Sequence, residues 1–91
     1  MNIVCSIPAS LRDYTSNKKT IKLKADTIKS MIFKINENHP GFKDQVMDET
    51  NTLRRFLNIY INHEDIRFID GENTQLRDGD KVHIITAVAG G

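Results

Sequence analysis

The chain lacks tryptophan and has one cysteine and two prolines in 91 residues. A single thiol, Cys5, cannot close an internal disulfide, so the fold must be held by its core. No apolar run is longer than three residues, as in Met31-Ile32-Phe33, which excludes a membrane-spanning helix. The N-terminus has no basic leader, and the apolar stretch from Ile3 is interrupted at Ser6 and stopped by Pro8, a pattern that does not fit a secretory signal. Excess charge of one sign is missing as well: 13 Lys and Arg against 12 Asp and Glu leave +1, too little to draw in nucleic acid or an anionic membrane. These absences point to a soluble, cytoplasmic protein with no nucleic-acid or membrane partner.

What is present fits one small domain. Apolar residues make up 38% and charged residues 27%, enough to fold and too apolar for disorder. A chain of this length buries only about 60–65% of its unfolded surface, so a single core layer is expected, with little room for an internal substrate cavity. The charges are unevenly spread. Residues 1–34 hold Arg12, Lys18, Lys19, Lys22, Lys24, Lys29 and Lys34 against Asp13 and Asp26. Residues 63–80 reverse this, with Glu64, Asp65, Asp70, Glu72, Asp78 and Asp80 against Arg67 and Arg77.

The β-branched run Asn2 to Ile7 before Pro8 reads as a first strand, followed by a polar loop over 12–19. Thr20 to Ala25 alternates, with Ile21, Leu23 and Ala25 inward and Lys22 and Lys24 outward, and the two strands suggest a hairpin. Asp26-Thr27 offers a cap for a helix whose Ile28, Met31, Ile32 and Ile35 share one face and which ends near Asn38, before Pro40-Gly41. Residues 42–55 read as a short helical turn and loop. From Phe56, an alternating segment puts Leu57, Ile59 and Ile61 inward, a turn at His63-Glu64 follows, and Asp65 to Phe68 reads as a second short alternating run. Two turns flank Leu76 before a last strand, Lys81 to Thr86, with Val82 and Ile84 inward.

This order predicts an α+β, two-layer β-grasp (ubiquitin-like) roll: a mixed sheet of four to five strands with one main helix on one face, and the last strand central beside the first. The domain is expected over 1–86, with a flexible tail over 87–91.

No catalytic constellation stands out. His39, His63 and His83 have no ligand spacing to one another or to Cys5, so no metal site is expected. Cys5 falls on the buried strand face, and Asp78-Gly79-Asp80 lacks the later ligands of a calcium loop. The ending, Ala87-Val88-Ala89-Gly90-Gly91, differs in kind: small side chains, and finally none, suit an extended backbone that threads a narrow channel and presents its terminal carboxylate.

Asp78-Gly79-Asp80-Lys81-Val82 with Thr86-Ala87-Val88-Ala89-Gly90-Gly91 resembles the closing motif of the ThiS/MoaD sulfur carriers. Phe56 to Asn62, with Glu64 to Phe68 behind it, is most similar to the CysO-type subgroup of cysteine biosynthesis, and Asn2-Ile3-Val4, Ile7-Pro8 and Leu11-Arg12 are compatible with it. The resemblance spans essentially the whole chain and is carried chiefly by 56–91. One departure is Thr86, where many members carry proline.

The resemblance implies a carrier, not an enzyme. An E1-like adenylating enzyme of the MoeB/ThiF type would use ATP and magnesium to adenylate Gly91. A sulfur donor would then displace AMP and leave a thiocarboxylate. The acceptor would be a cysteine synthase-type enzyme holding a serine-derived aminoacrylate on pyridoxal phosphate, and a zinc metalloprotease would release the cysteine. All these cofactors belong to partners, and this chain is expected to bind none. A molybdopterin synthase small subunit and a thiamine or siderophore sulfur carrier are alternatives within the class, and a ubiquitin-like modifier joined to lysines through Gly91 lies outside it. The outward sheet face of Phe56, Asn58, Tyr60, His83 and Ile85 is expected to be exposed as the partner-binding surface, with the acidic 63–80 segment at its rim.

Overall fold

Branched side chains alternating along a strand bury one face and leave the other open, and Leu57–Ile61 (β3) does this with Leu57, Ile59 and Ile61 all buried. The computed structural model describes residues 1–86. Within them Asn2–Ser6 (β1), Thr20–Lys24 (β2), Glu64–Asp65 (β4) and Lys81–Thr86 (β5) join β3 in one sheet of order β2-β1-β5-β3-β4. The β1–β5 pairing is parallel and the rest are antiparallel. The hairpin and the central last strand are therefore as expected, and the architecture is the β-grasp roll.

The helix over the sheet, Ile28–Asn38 (α1), starts where Thr27 and Ser30 cap each other: Ser30 N–H donates to Thr27 Oγ1 at 3.1 Å and Thr27 N–H to Ser30 Oγ at 3.0 Å. Ile28, Met31, Ile32 and Ile35 are all buried beneath it. Ile59 is 2% exposed, which places the register of β3 as the alternation predicted. Asn36 Oδ1 accepts from the N–H groups of Gly41 and Lys43 and so ties α1 to a second short helix, Phe42–Val46 (α2). The link needs glycine: Gly41 has φ +97°, and a Cβ there would meet the Tyr14 ring at 3.4 Å.

Two segments differ from expectation. The loop after Pro8 is a 3-10 helix over Ala9–Tyr14 that buries Leu11, and Thr15 beyond it is fully buried with its hydroxyl donating to Lys18 O at 3.1 Å. The run expected as a strand over 65–68 pairs only through Asp65. Ile66–Phe68 winds into a 3-10 turn because Asp65 Oδ1 accepts from Arg67 N–H and caps it, which turns Ile66 inward.

Candidate functional site

Strand β5 occupies the middle of the sheet and carries the chain to residue 86. Val82 and Ile84 hold it down from the core side, while β1 and β3 pair with its two edges. At its end, Thr86 pairs with Leu57 of β3, and the hydroxyls of Thr86 and Ser10 share a hydrogen bond of 3.0 Å. The Thr86 hydroxyl thus fastens the last described residue to the 3-10 helix after β1. The expected tail residues Ala87, Val88, Ala89, Gly90 and Gly91 lie outside the described residues.

On the open side of the sheet, cross-strand register sets Tyr60 opposite His83 and Asn58 opposite Ile85. Tyr60, Asn62, His63, His83 and Ile85 line a shallow depression of about 410 Å³. Ile85 is 48% exposed, and Phe56, in the turn just before β3, is 46% exposed. Asn58, Tyr60 and His83, expected to be exposed with them, are instead half-buried. Directly opposite side chains stand only about 4.5–5.5 Å apart at Cβ and cover one another, which accounts for Tyr60 and His83. Asn58 is covered from the 3-10 turn after β4: the Arg67 guanidinium donates to Asn58 Oδ1 and to both carboxylate oxygens of Asp65, at 3.3 Å from Nε and 3.0 Å from Nη2.

That clasp was missed in the sequence because Asp65 and Arg67 read there as alternating strand residues. The available signal was the two-residue spacing of an aspartate and an arginine, which suits an aspartate-capped turn. Hydrogen bonds from Arg67 hold the Asp65 carboxyl below its ordinary value, and Asp65 in turn raises Arg67. Asn62 makes a second tie: at φ +57° it turns β3 into β4, accepts from Lys81 N–H at 3.2 Å and donates to Asp80 at 3.3 Å.

Cys5 is fully buried and its thiol is pushed up to about 12 by desolvation, so it is neither a thiolate nor a nucleophile near neutral pH. Asp80 accepts from Arg77 N–H within the turn and Asp78 from Asn2 N–H of β1, so both carboxylates of Asp78-Gly79-Asp80 are taken up by backbone donors. Among the described residues no three His, Cys, Asp or Glu side chains group to hold a metal ion, and no helix is long and apolar enough to cross a membrane.

The sequence profile of the ThiS family matches residues 5–91. The chain belongs to the ThiS family. Its similarity to "Sulfur carrier protein CysO" of Mycobacterium tuberculosis is 42% identity over 93 aligned residues, covering 100% of both chains. Two crystal structures agree with this ThiS-family fold. A chain from the Amycolatopsis orientalis BexX/CysO complex superposes with TM-score 0.91 at 38% identity, covering 98% of this chain and 99% of that one. Mycobacterium tuberculosis CysO superposes with TM-score 0.89 at 39% identity, covering 96% and 100%. The likeness to the CysO-type subgroup therefore extends over the first half of the chain as well as over residues 56–91.

Proposed function

We propose that this ThiS-family chain is a sulfur carrier of cysteine biosynthesis whose reactive group is the carboxylate of Gly91. The observation that carries the reading is the match to CysO proteins at 42% identity over the full length of both chains. The protein acts as a co-substrate and not as a catalyst. A carboxylate is a poor electrophile, so it must first be joined to AMP with loss of pyrophosphate. Sulfide sulfur from a donor then attacks the acyl carbon, AMP leaves, and –COSH remains.

The chain's own contribution is delivery. Strand β5 is anchored in the sheet as far as Thr86, and the absence of a Cβ at Gly90 and Gly91 removes the bulk that would obstruct entry of the last residues into a partner's active site. The face of Phe56, Asn58, Tyr60, His83 and Ile85 lies on and beside β5, which suits it to hold the activating enzyme of the MoeB/ThiF type while Gly91 reacts. A cysteine synthase-type enzyme consumes the sulfur and a metalloprotease resets the tail, so ATP with magnesium, pyridoxal phosphate and zinc act in partners. The cytoplasm, where ATP is supplied, is the setting for this cycle.

Intact mass of the protein, purified from its own host and again after incubation with activating enzyme, ATP and sulfide, tests the reading. A mass gain of one oxygen-to-sulfur exchange, localised to the C-terminal peptide, is expected. Gly91 found instead in isopeptide bonds to lysines of other proteins would mean a modifier. An unchanged carboxylate in both preparations would overturn the proposal.

A further inference from the structure

Strand β2 is an outer strand of the sheet, and the side facing away from β1 pairs with no strand among the described residues. Its register with β1 settles which backbone groups face that open side. Ile7 N–H donates to Lys19 O at 2.8 Å and Ala25 N–H to Met1 O at 2.9 Å, so the odd-numbered residues of this stretch point their polar groups at β1. In an antiparallel pair this direction alternates, which leaves Thr20, Lys22 and Lys24 with N–H and C=O groups turned outward. Lys34 Nζ from α1 donates to Lys24 O at 2.8 Å, as expected for a carbonyl directed away from the sheet.

Between this edge and α1 runs a groove of about 340 Å³. Ile21 and Leu23 form its apolar floor and are only partly buried, with fully buried Ile35 at its base. Its rim is cationic: Lys18, Lys22, Lys24 and Lys34 line it and all are exposed, against one carboxylate, Glu37. Lysines on an edge strand also discourage aggregation. That role accounts for the outward lysines, yet it leaves unexplained the apolar floor kept partly open beneath them.

We infer that the groove between β2 and α1 receives an extended segment of a partner protein with β-branched residues alternating with acidic ones. Such a segment adds a sixth strand along β2 and bonds to the outward groups of Thr20, Lys22 and Lys24. Because side chains alternate along it, every second residue falls on Ile21 and Leu23, and the intervening ones lie level with Lys22 and Lys24. Branched apolar groups suit the first set and carboxylates the second. Lys34 must release Lys24 O to let the ladder form, and its ammonium then has an acidic partner. A second copy of this chain fits poorly, since pairing β2 with β2 sets lysine rows against each other. The surface lies across the sheet from the Tyr60 and Ile85 face and does not involve Gly91, so its failure and that of the carrier reading are separable.

The test uses the full chain, isotope-labelled for NMR, and a short peptide alternating glutamate and valine. Saturable amide shifts confined to residues 18–24 and 34–38 are expected, with affinity falling several-fold between about 0.05 and 0.5 M salt. Lys22→Glu with Lys24→Glu should weaken binding by about tenfold or more at low salt. If that chain fails to fold by circular dichroism, Lys22→Gln with Lys24→Gln repeats the measurement with a smaller expected loss. Replacing the central glutamate–valine pair of the peptide by two prolines should abolish binding, because one of the two supplies a ladder donor whichever way the segment runs. The inference is overturned by equal binding of a lysine–valine peptide, by undiminished binding of the proline peptide, or by shifts elsewhere or none. It is also overturned by tighter binding of a single-stranded oligonucleotide, or by a sedimenting dimer that excludes the peptide.

Discussion

At one margin of the sheet β2 runs regularly for five residues with lysines turned to solvent. At the other, β4 stops after two residues, and Arg67 folds back over Asp65 and Asn58. Both margins began with the same backbone donors and acceptors. One is left available along its length, whereas the other is closed by its own side chains within a single turn. The closed margin adjoins β3 and so steadies the face of Tyr60, His83 and Ile85, the face proposed to meet the activating enzyme. The open margin is regular enough to accept another strand. The difference teaches that edge length and local capping, more than apolar content, decide which side of this small sheet is finished and which is available.

The largest effect should come from below both margins. Ile59→Ala removes a fully buried side chain from the central layer and should cost about 2–5 kcal/mol in urea unfolding. That is a large share of the total for a domain of this size. A cost under about 1 kcal/mol would mean that the two halves do not depend on a common core.

Tyr60→Ala with Ile85→Ala should weaken binding to the activating enzyme more than about tenfold, roughly 1.4 kcal/mol or more, while leaving the melting temperature nearly unchanged. Lys22→Glu with Lys24→Glu should leave that affinity alone. Calorimetry on both variants separates the two surfaces, and a loss confined to the lysine variant would exchange their roles.

A smaller change is expected from Thr27→Ala, which removes the side-chain half of the cap that starts α1. It should cost about 1 kcal/mol and speed hydrogen exchange in the first turn of the helix before it affects β3. Uniformly faster exchange would show that the cap supports the whole domain and not the wall of the β2 groove.

The smallest effect belongs to the clasp. Asp65 has its carboxyl held below the ordinary 3.8, first by the side-chain hydrogen bond from Arg67. A folded-state pKa below the unfolded one gives stability that is present above the unfolded value and lost as pH falls through the folded value. Asp65→Asn should therefore be slightly less stable than the parent at pH 7, and the difference should shrink below about pH 4. A difference that grows on acidification would contradict the pairing.

The strands and α1 were readable from periodicity because each repeats its pattern over five or more residues, as Leu57, Ile59 and Ile61 do. The central place of β5 followed from the apolar character shared with β1. Shorter features were hidden by ambiguity or distance. Four residues, Asp65 to Phe68, alternate equally well as a strand or as a capped turn, and the cap of Asp65 on Arg67 N–H, with the reach of Arg67 to Asn58 on β3, settles it as the turn. Phe42 lies in a segment without period, yet it is fully buried, because Asn36 seven residues before Lys43 anchors the start of α2. The partial burial of Asn58, Tyr60 and His83 likewise arises from neighbours across strands, to which a linear pattern is blind. Within the proposed site, Gly90 and Gly91 were legible as letters, whereas the fastening of Thr86 to Ser10 bridges 76 positions and has no local signature.

Gly91 is the residue on which the proposed cycle turns. Removing it moves the terminal carboxylate back by about 3.3–3.6 Å along an extended chain, beyond what a site working at near-attack distances tolerates. The measurement is ATP–pyrophosphate exchange by the activating enzyme, with the full chain and with the chain shortened by Gly91, each first shown to have the same melting temperature. Exchange should be robust with the full chain and lost with the shortened one. Equal exchange with both would contradict the claim that Gly91 is the carrier residue.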